Sequence, residues 1–217
     1  MLHALPTRHV PQRVELTSAG RANPRRGARA ATLGPADVEF WFGVRVTTPA
    51  RTCIDLARHD RRAGVMACDS ALHQRLVTVD ELKAGLARAQ RWPGVRQARE
   101  IVHFADARAE SPLESVVRLA LHDSGFPPPE LQYEIAVPGR RHPLRVDLCW
   151  PRHRLILEAD GRTKYVGDEN WREKRREALL RPTGFRIERV IWSDVERTWA
   201  ATSAYLWSAL GLSSPPS

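Results

Sequence analysis

The sequence predicts an α/β protein: its C-terminal half follows the order helix, three strands, helix, strand, helix, and a mainly helical region precedes it. Two short apolar segments, residues 144–150 and 155–161, have the length and composition of strands and are joined by a four-residue loop. Segments with helical periodicity and capping residues lie on both sides of this hairpin. With 42% hydrophobic residues among 217, the chain has enough apolar side chains for ordinary cores.

Residues 1–46 are predicted to form a basic segment that is irregular or short-stranded, with strand candidates at residues 13–17 and 44–47. Within it, residues 1–36 hold six arginines, among them Arg25 and Arg26, against one glutamate. Two interpretations carry similar weight: the segment binds a phosphate backbone, or it is a loosely held chain end.

Residues 47–109 are predicted to be a helical region. Thr48 is placed to cap a helix that begins at Pro49 and ends near residue 59, and a second helix covers residues 61–73. Thr78 has the spacing of a capping box and opens a third helix. The break at residues 92–94 separates it from a fourth helix that ends near Ala107. This region shows no catalytic constellation.

Residues 110–212 are predicted to be a second domain, and residues 213–217 a tail. Its first helix is capped by Ser111, begins at Pro112 and ends at Gly125. Strands follow at residues 131–137, 144–150 and 155–161, then a basic helix at residues 168–181 and a strand at residues 186–191. A capping box at residues 193–196 opens a last helix that runs to about residue 210.

The predicted hairpin brings two acids together. If Trp150 faces Leu155 across the loop, Asp147 lies directly opposite Glu158, on a face that we expect to carry chemistry while the other face packs. Opposed Cβ atoms are roughly 4.5–5.5 Å apart, so two carboxylates there repel unless a cation lies between them. Carboxylate oxygens suit Mg²⁺ or Mn²⁺. The alternative is that both are solvated acids on an exposed face.

The same register places Arg145 opposite Asp160. Asp160 therefore has a structural interpretation of its own, as an ion-pair partner or as a turn residue before Gly161.

The charge and the cysteine content of the chain indicate which kinds of partner and site to expect. The formal net charge of +9 and the pI of about 10.4 favour a polyanionic partner, although only three of the 34 basic residues are lysine, a bias that codon usage also explains. The three cysteines are widely spaced, which suggests neither a disulfide framework nor a zinc knuckle. We expect a cytoplasmic protein without a membrane span.

Four motifs in the C-terminal half have the order and spacing of a known nuclease fold. They are Ser-Pro-Leu-Glu-Ser at residues 111–115, Val-Asp at 146–147, Glu-Ala-Asp-Gly-Arg-Thr-Lys-Tyr at 158–165, and Gly-Phe at 184–185 followed by Val-Ile-Trp-Ser-Asp-Val at 190–195. This layout resembles the PD-(D/E)xK restriction-endonuclease-like nucleases, most closely the branch related to very-short-patch-repair endonucleases, often called the DUF559 family. The resemblance covers residues 110–200 and implies a restriction-endonuclease-like core.

The resemblance also implies a metal-dependent site. Asp147 and Glu158 would hold Mg²⁺ or Mn²⁺, and Glu114 would complete the ligand set or orient a metal-bound water. Lys164 is the nearest flexible cation for charge that develops on phosphorus. Asp160 occupies the position of the family's lysine, so it either acts as a further metal ligand or signals a changed mechanism.

Several of these residues have alternative interpretations. Glu114 also has the spacing of a capping box with Ser111. Basic residues near the acids and in the N-terminal segment are candidates for DNA contacts: Arg145, Arg162, Lys174, Arg175, Arg25 and Arg26. Those on the basic helix can equally be a solvated face paired with neighbouring glutamates.

Residues 40–108, above all Val-Thr-Thr-Pro-Ala-Arg-Thr-Cys-Ile-Asp-Leu-Ala at 46–57, are similar to a segment found in AbiEi-type antitoxins of abortive-infection toxin–antitoxin systems. Relatives usually begin with a winged helix-turn-helix, and no such helix pair is predicted before Arg51.

Two main hypotheses follow. The first is a metal-dependent endonuclease that hydrolyses DNA in repair or in defence against phage and mobile elements, for which cutting both strands would favour a homodimer. The second is a non-catalytic, DNA-binding antitoxin-type or regulatory protein with a degenerate nuclease fold and a cognate toxin. Action on RNA is a third hypothesis that the sequence discriminates poorly.

Overall fold

The computed structural model describes residues 3–7, 16–18, 28–161 and 168–213 and divides the chain into two compact units, 1–107 and 108–217. Both units combine helices with strands, so the predicted α/β class is confirmed.

The N-terminal unit contains four helices in its described residues, with two short sheets before them. The helices are α1 (Pro49–His59), α2 (Arg61–His73), α3 (Val79–Arg88) and α4 (Val95–Phe104). The strands are β1 (Leu16–Ser18), parallel to β2 (Ala28–Ala30), and β3 (Val38–Trp41), antiparallel to β4 (Val44–Thr47). The sequence did not predict β2 and β3. Strand β2 has three residues, which is fewer than a strand pattern requires.

Capping residues start these helices where the sequence predicts. The Thr48 side chain accepts a hydrogen bond from the Arg51 N–H, and Asp60 caps α2 through the Ala63 N–H. Thr78 forms the full capping box with Glu81. Each cap satisfies a backbone donor that the first helical turn leaves unpaired.

Close packing and a buried ion network hold the N-terminal unit together. Gly64 of α2 lies so near α1 that an added Cβ would be 2.5 Å from the Ala57 Cα. Arg51, only 2% exposed, donates to Asp37 at 3.1 Å and to Asp55 at 2.8 Å. These bonds connect α1 to the turn that leads into β3.

The C-terminal unit is built on a four-stranded sheet in the order β5-β6-β7-β8. The strands are β5 (Glu130–Ile135), β6 (Leu144–Trp150), β7 (Leu155–Ala159) and β8 (Arg186–Val190); the helices are α5 (Pro112–Asp123), α6 (Asp168–Leu180), α7 (Trp192–Glu196) and α8 (Trp199–Leu210). The first three strands are antiparallel, and β8 runs parallel to β7. The connection from β7 to β8 therefore crosses over through α6.

The predicted register of the β6–β7 hairpin is confirmed. Leu148 pairs with Leu157, and Trp150 pairs with Leu155. The expectation that only one face packs is wrong, because Cys149 and Ile156, which alternation places on the other face, are 0% exposed. Both belong to one buried cluster with Leu180 of α6, so this sheet is covered on both faces.

The prediction of a single last helix is also wrong. The structure divides it into α7 and α8, with a break at residues 197–198. The acid that caps the first of them is Asp194, whose Oδ2 accepts from the Ile191 N–H at 2.9 Å, so the box predicted at residues 193–196 lies two residues too late.

None of the helices in the described part of the chain has both the length and the apolar character that crossing a membrane requires.

Candidate functional site

Strands β6 and β7 place Asp147 and Glu158 side by side. They follow the Leu148–Leu157 pair in the hairpin register, and the charge of Asp147 is close enough to raise the pKa of Glu158. Asp147 Oδ2 also accepts from the Ala159 N–H at 3.0 Å. Asp147 is half-buried and Glu158 is 7% exposed, so the interpretation of both as solvated acids does not hold.

The surroundings of Glu158 favour its protonated form. Burial, followed by the nearby charge of Asp147, raises the pKa of Glu158 from 4.5 to about 7, although Arg176 opposes the rise. Two carboxyl groups that share a buried site cannot both ionise cheaply. Glu158 therefore holds or releases its proton near neutral pH.

Arg176 of α6 provides positive charge at this pair. Its Nη2 lies 3.0 Å from Glu158 Oε1. The contact lacks hydrogen-bond alignment, and Oε1 is a buried acceptor that has no hydrogen-bond partner among the described residues. Buried acceptors are almost always paired, and the partner of this oxygen is the Arg176 guanidinium, through an ion pair and not through an aligned hydrogen bond.

Glu114, in the first turn of α5, lies near enough to Asp147 for the charge of Asp147 to affect it. The Ser111 Oγ accepts from the Glu114 N–H at 3.2 Å, as the sequence predicts for an N-cap. The Glu114 carboxylate turns inward, is 5% exposed and is sensitive to the charge of Asp147. Burial raises the pKa of Glu114, and the hydrogen bonds it accepts oppose that rise. Glu114 Oε2 accepts from the Glu110 N–H at 3.0 Å, where a standard capping box would use the N-cap N–H.

Gln132 is a neighbour of this site that sequence reasoning missed. Its Nε2 donates to Glu114 Oε2 at 2.9 Å, from strand β5. Its backbone has a φ of +51°, in the left-handed region that residues other than glycine seldom adopt. Sequence patterns carry no signal for such a residue, since glutamine is not typical of this conformation.

Glu114, Asp147 and Glu158 have the ligand type that a divalent cation prefers, but they are not spaced closely enough to hold one together. Carboxylate oxygens are the ligands of Mg²⁺ and Mn²⁺, and Glu158 Oε1 is a buried acceptor whose counter-charge is an arginine. However, no group of three or more His, Cys, Asp or Glu side chains within the described ranges is close enough together to hold a metal ion. A cation at Asp147 and Glu158 would thus need water or substrate oxygens for its remaining ligands.

The structure describes four of the other predicted site residues. Asp160, half-buried, follows β7 and donates its N–H to the Val190 carbonyl oxygen at 2.9 Å. Arg145 forms a two-pronged ion pair with Glu110, with N–O distances of 2.8 Å. Lys174 and Arg175 are exposed on α6. The remaining predicted residues lie outside the described residues: Arg25, Arg26, Arg162 and Lys164.

A known protein family matches the N-terminal unit of the chain. The family model of the AbiEi antitoxin C-terminal domain matches residues 2–104, which coincides with the N-terminal unit and extends the predicted similarity through the basic segment. Two uncharacterized proteins of Mycobacterium tuberculosis, from strains CDC 1551 and H37Rv, are each 38% identical over 179 residues, which is 82% of this chain. The chain spans 66% of the length of these relatives, slightly less than two thirds. No solved structure matches the chain significantly.

Proposed function

We propose that this chain is an antitoxin-type regulatory protein of a toxin–antitoxin system. The observation that carries the proposal is the match of the AbiEi antitoxin C-terminal domain to residues 2–104, a range that folds as one compact unit. The partners that follow are a cognate toxin and DNA. A net charge of +9 supports the second, because neutralising phosphates contributes much of the affinity of basic proteins for DNA.

Growth rescue tests the antitoxin role. The gene adjacent to this one would be induced in a heterologous bacterium, with and without co-expression of the full chain. We expect induction to arrest growth and co-expression to restore it. An adjacent gene that is not toxic, or toxicity that this chain leaves unchanged, would contradict the proposal.

DNA binding is tested separately by titrating labelled duplexes at several salt concentrations. Affinity that falls steeply as salt rises would support backbone contacts, and the slope counts the phosphates neutralised. Affinity that is absent at low salt would remove DNA from the list of partners.

A second candidate function is metal-dependent hydrolysis of DNA by the C-terminal unit. Its support is the pair of neighbouring acids Asp147 and Glu158 beside Arg176, on a core in which a helix, three strands, a helix and a strand follow one another. In this proposal Asp147 and Glu158 hold Mg²⁺ or Mn²⁺, which when bound polarises a phosphoryl oxygen and activates water. With such an ion bound, Glu114 would be the acid available to orient a water, and Arg176 would offer positive charge to the phosphate.

Cleavage assays separate the two candidates. Purified full-length protein would be incubated with supercoiled, linear and mismatched DNA and with single-stranded RNA, in Mg²⁺, Mn²⁺ or chelator. A double Asp147→Ala, Glu158→Ala variant is the test protein, and Glu134→Ala, an exposed acid on β5, is the matched control. Metal-dependent cleavage that is lost only in the double variant supports the nuclease. Growth rescue by that same variant, without cleavage by either protein, supports an antitoxin role independent of the acids.

A further inference from the structure

The tip of the β3–β4 hairpin carries apolar side chains that the fold leaves in solvent. Trp41 pairs with Val44, so the turn between them consists of Phe42 and Gly43. The exposed fraction is 95% for Phe42, 74% for Phe40 and 60% for Val44. A cluster of exposed large apolar side chains marks an interaction surface. We call residues 40–44 the aromatic tip.

The backbone of this turn favours a different residue at the position of Phe42. Phe42 has φ +47° and Gly43 has φ +80°, which are the two positive values of a type I′ turn. Asparagine, aspartate or glycine is usual at the first of these positions, and positive φ is strained for a bulky residue. The ring gains almost no burial in return. Strain that folding does not offset points to a function for the side chain.

Contacts at its base hold the aromatic tip in place. The His3 ring packs edge-on against Trp41, with ring centroids 5.6 Å apart. His3 Nε2 also lies within hydrogen-bond distance of the Thr47 carbonyl oxygen, at 2.7 Å. The Trp41 ring in turn lies 6.2 Å from the ring of Phe42. A protrusion that is already ordered loses little conformational entropy when it binds.

A cavity of about 330 Å³ lies at the base of the same hairpin. Glu39 of β3 lines this cavity and stands two residues before Trp41, so their Cα atoms are about 7 Å apart. The apolar lining consists of Ala36, Pro49, Ala50, Leu76, Val77 and Ala84. Pockets of roughly 300–1,000 Å³ hold small ligands, so this one has room for an aromatic ring. The exposure of Phe42 shows that the tip does not fill the cavity of its own chain.

The charges beside the tip and at the cavity are complementary. Arg45 is exposed and lies opposite Phe40, on the same face of the hairpin. Glu81 lines the cavity, and the two hydrogen bonds that it accepts from Thr78 both go to Oε2, so Oε1 can accept from a guanidinium. A nucleic acid would meet the carboxylates of Glu39 and Glu81 here, so the charge favours a protein surface.

We propose that the aromatic tip is the docking element of a symmetric homodimer, in which Phe42 of each chain enters the cavity of a second copy. Arg45 then pairs with Glu81 of that copy. A protrusion beside an unfilled cavity suits a two-fold interface, because each copy gives and receives the same element. The inference is independent of the antitoxin and nuclease proposals.

The area that the tip offers is large enough for such an interface. At about 200 Å² for a whole aromatic side chain, the exposed parts of Phe40, Trp41 and Phe42 amount to roughly 400 Å². Counted over two tips and the surfaces that receive them, this approaches the roughly 1,600 Å² of a standard protein–protein interface.

Sedimentation velocity of the full-length chain over a wide range of concentrations tests the proposal. Phe42→Asn removes the ring and creates Asn-Gly, the pair that a type I′ turn prefers, so this variant should fold at least as well as the wild type. Tyr205→Asn, which removes an exposed ring from the C-terminal unit, is the matched control. We expect the wild type and the control to dimerise alike. Phe42→Asn should weaken dimerisation about 30-fold, as the loss of a central aromatic residue does.

Charge reversal tests the ion pair. Arg45→Glu and Glu81→Arg each bring like charges together, and each should weaken dimerisation about tenfold. The protein with both substitutions restores opposite charges and should regain most of the affinity, which a purely structural role of either residue would not produce. Thermal unfolding checks that each variant is folded, because Glu81 also belongs to the capping box of α3.

Four results would overturn the inference. A wild-type chain that is monomeric at every concentration removes the dimer. Dimerisation that is unchanged in Phe42→Asn places the interface elsewhere. A double charge variant that regains no affinity excludes the pairing of Arg45 with Glu81. Labelled single-stranded DNA that binds the monomeric wild type and not Phe42→Asn would make the tip a base-stacking element instead.

Discussion

Replacing Glu158 by glutamine should stabilise the C-terminal unit at alkaline pH and leave it unchanged at acid pH. The unfolded chain releases the Glu158 proton near pH 4.5, whereas the folded chain keeps it until about pH 7. Between these values the folded state binds more protons, so the free energy of unfolding falls as the pH rises. The favourable contribution is complete below pH 4.5 and is lost above about pH 7. Glutamine keeps the size of the side chain and removes the charge.

The size of the effect follows from that difference in acidity. Each tenfold change in acidity corresponds to about 1.4 kcal/mol, so the change from 4.5 to about 7 gives an upper limit of about 3 kcal/mol. The side chain of Glu158 is 10% exposed, which leaves little solvent screening. Because the charge is shared with Asp147 and Arg176, we expect glutamine to add about 2 kcal/mol at pH 8.

Urea denaturation followed through the amide NMR signals of β6 and β7 measures this effect in the C-terminal unit of the full-length chain. The free energies of unfolding of wild type and Glu158→Gln are compared from about pH 5 to pH 8, with Glu134→Gln as the exposed control. A wild-type–variant difference that is the same at every pH would refute the reasoning. Added Mg²⁺ should stabilise only the wild type at pH 8 if the proposed cation site exists.

Three further predictions concern packing and charge. Arg51→Met should lower the free energy of unfolding of the N-terminal unit by about 3 kcal/mol in urea denaturation, because it leaves the buried carboxylate of Asp37 with one fewer partner; an unchanged midpoint would contradict this. Gly64→Ala should cost about 1–3 kcal/mol in the same assay, because the new methyl group would lie 2.5 Å from the backbone of α1. Arg176→Met should strengthen Mn²⁺ binding in calorimetry, because it removes a positive charge that competes with a bound cation for Glu158; weaker binding would contradict this reasoning.

The sequence was sufficient to predict the architecture of the acid hairpin. A slip of one residue in the hairpin register would turn every side chain to the opposite face of the sheet, so alternation and loop length together determine the register. Pairing Trp150 with Leu155 was therefore enough to place Asp147 beside Glu158. Helix starts at Thr48 and Thr78 were equally readable, because caps are local and chemically specific.

The burial of the site could not be predicted from the same patterns. Alternation separates two faces but does not say whether a distant helix covers the second, as α6 does through Leu180. The left-handed turn at Gln132 has no compositional signal, and its bond to Glu114 spans two elements. The break between α7 and α8 lies at Arg197 and Thr198, without the glycine or proline that normally predicts a helix end.

The parallel pairing of β7 with β8 has a consequence for synthesis on the ribosome. Helix α5 and strands β5 to β7 carry all three acids and are made before β8, which begins at Arg186. Contacts between segments distant in the chain form late and slowly. A nascent chain that stops before Arg186 therefore contains Glu114, Asp147 and Glu158 but lacks the strand that completes the sheet. Maturation of the acid site is thereby tied to translation of the last third of the C-terminal unit.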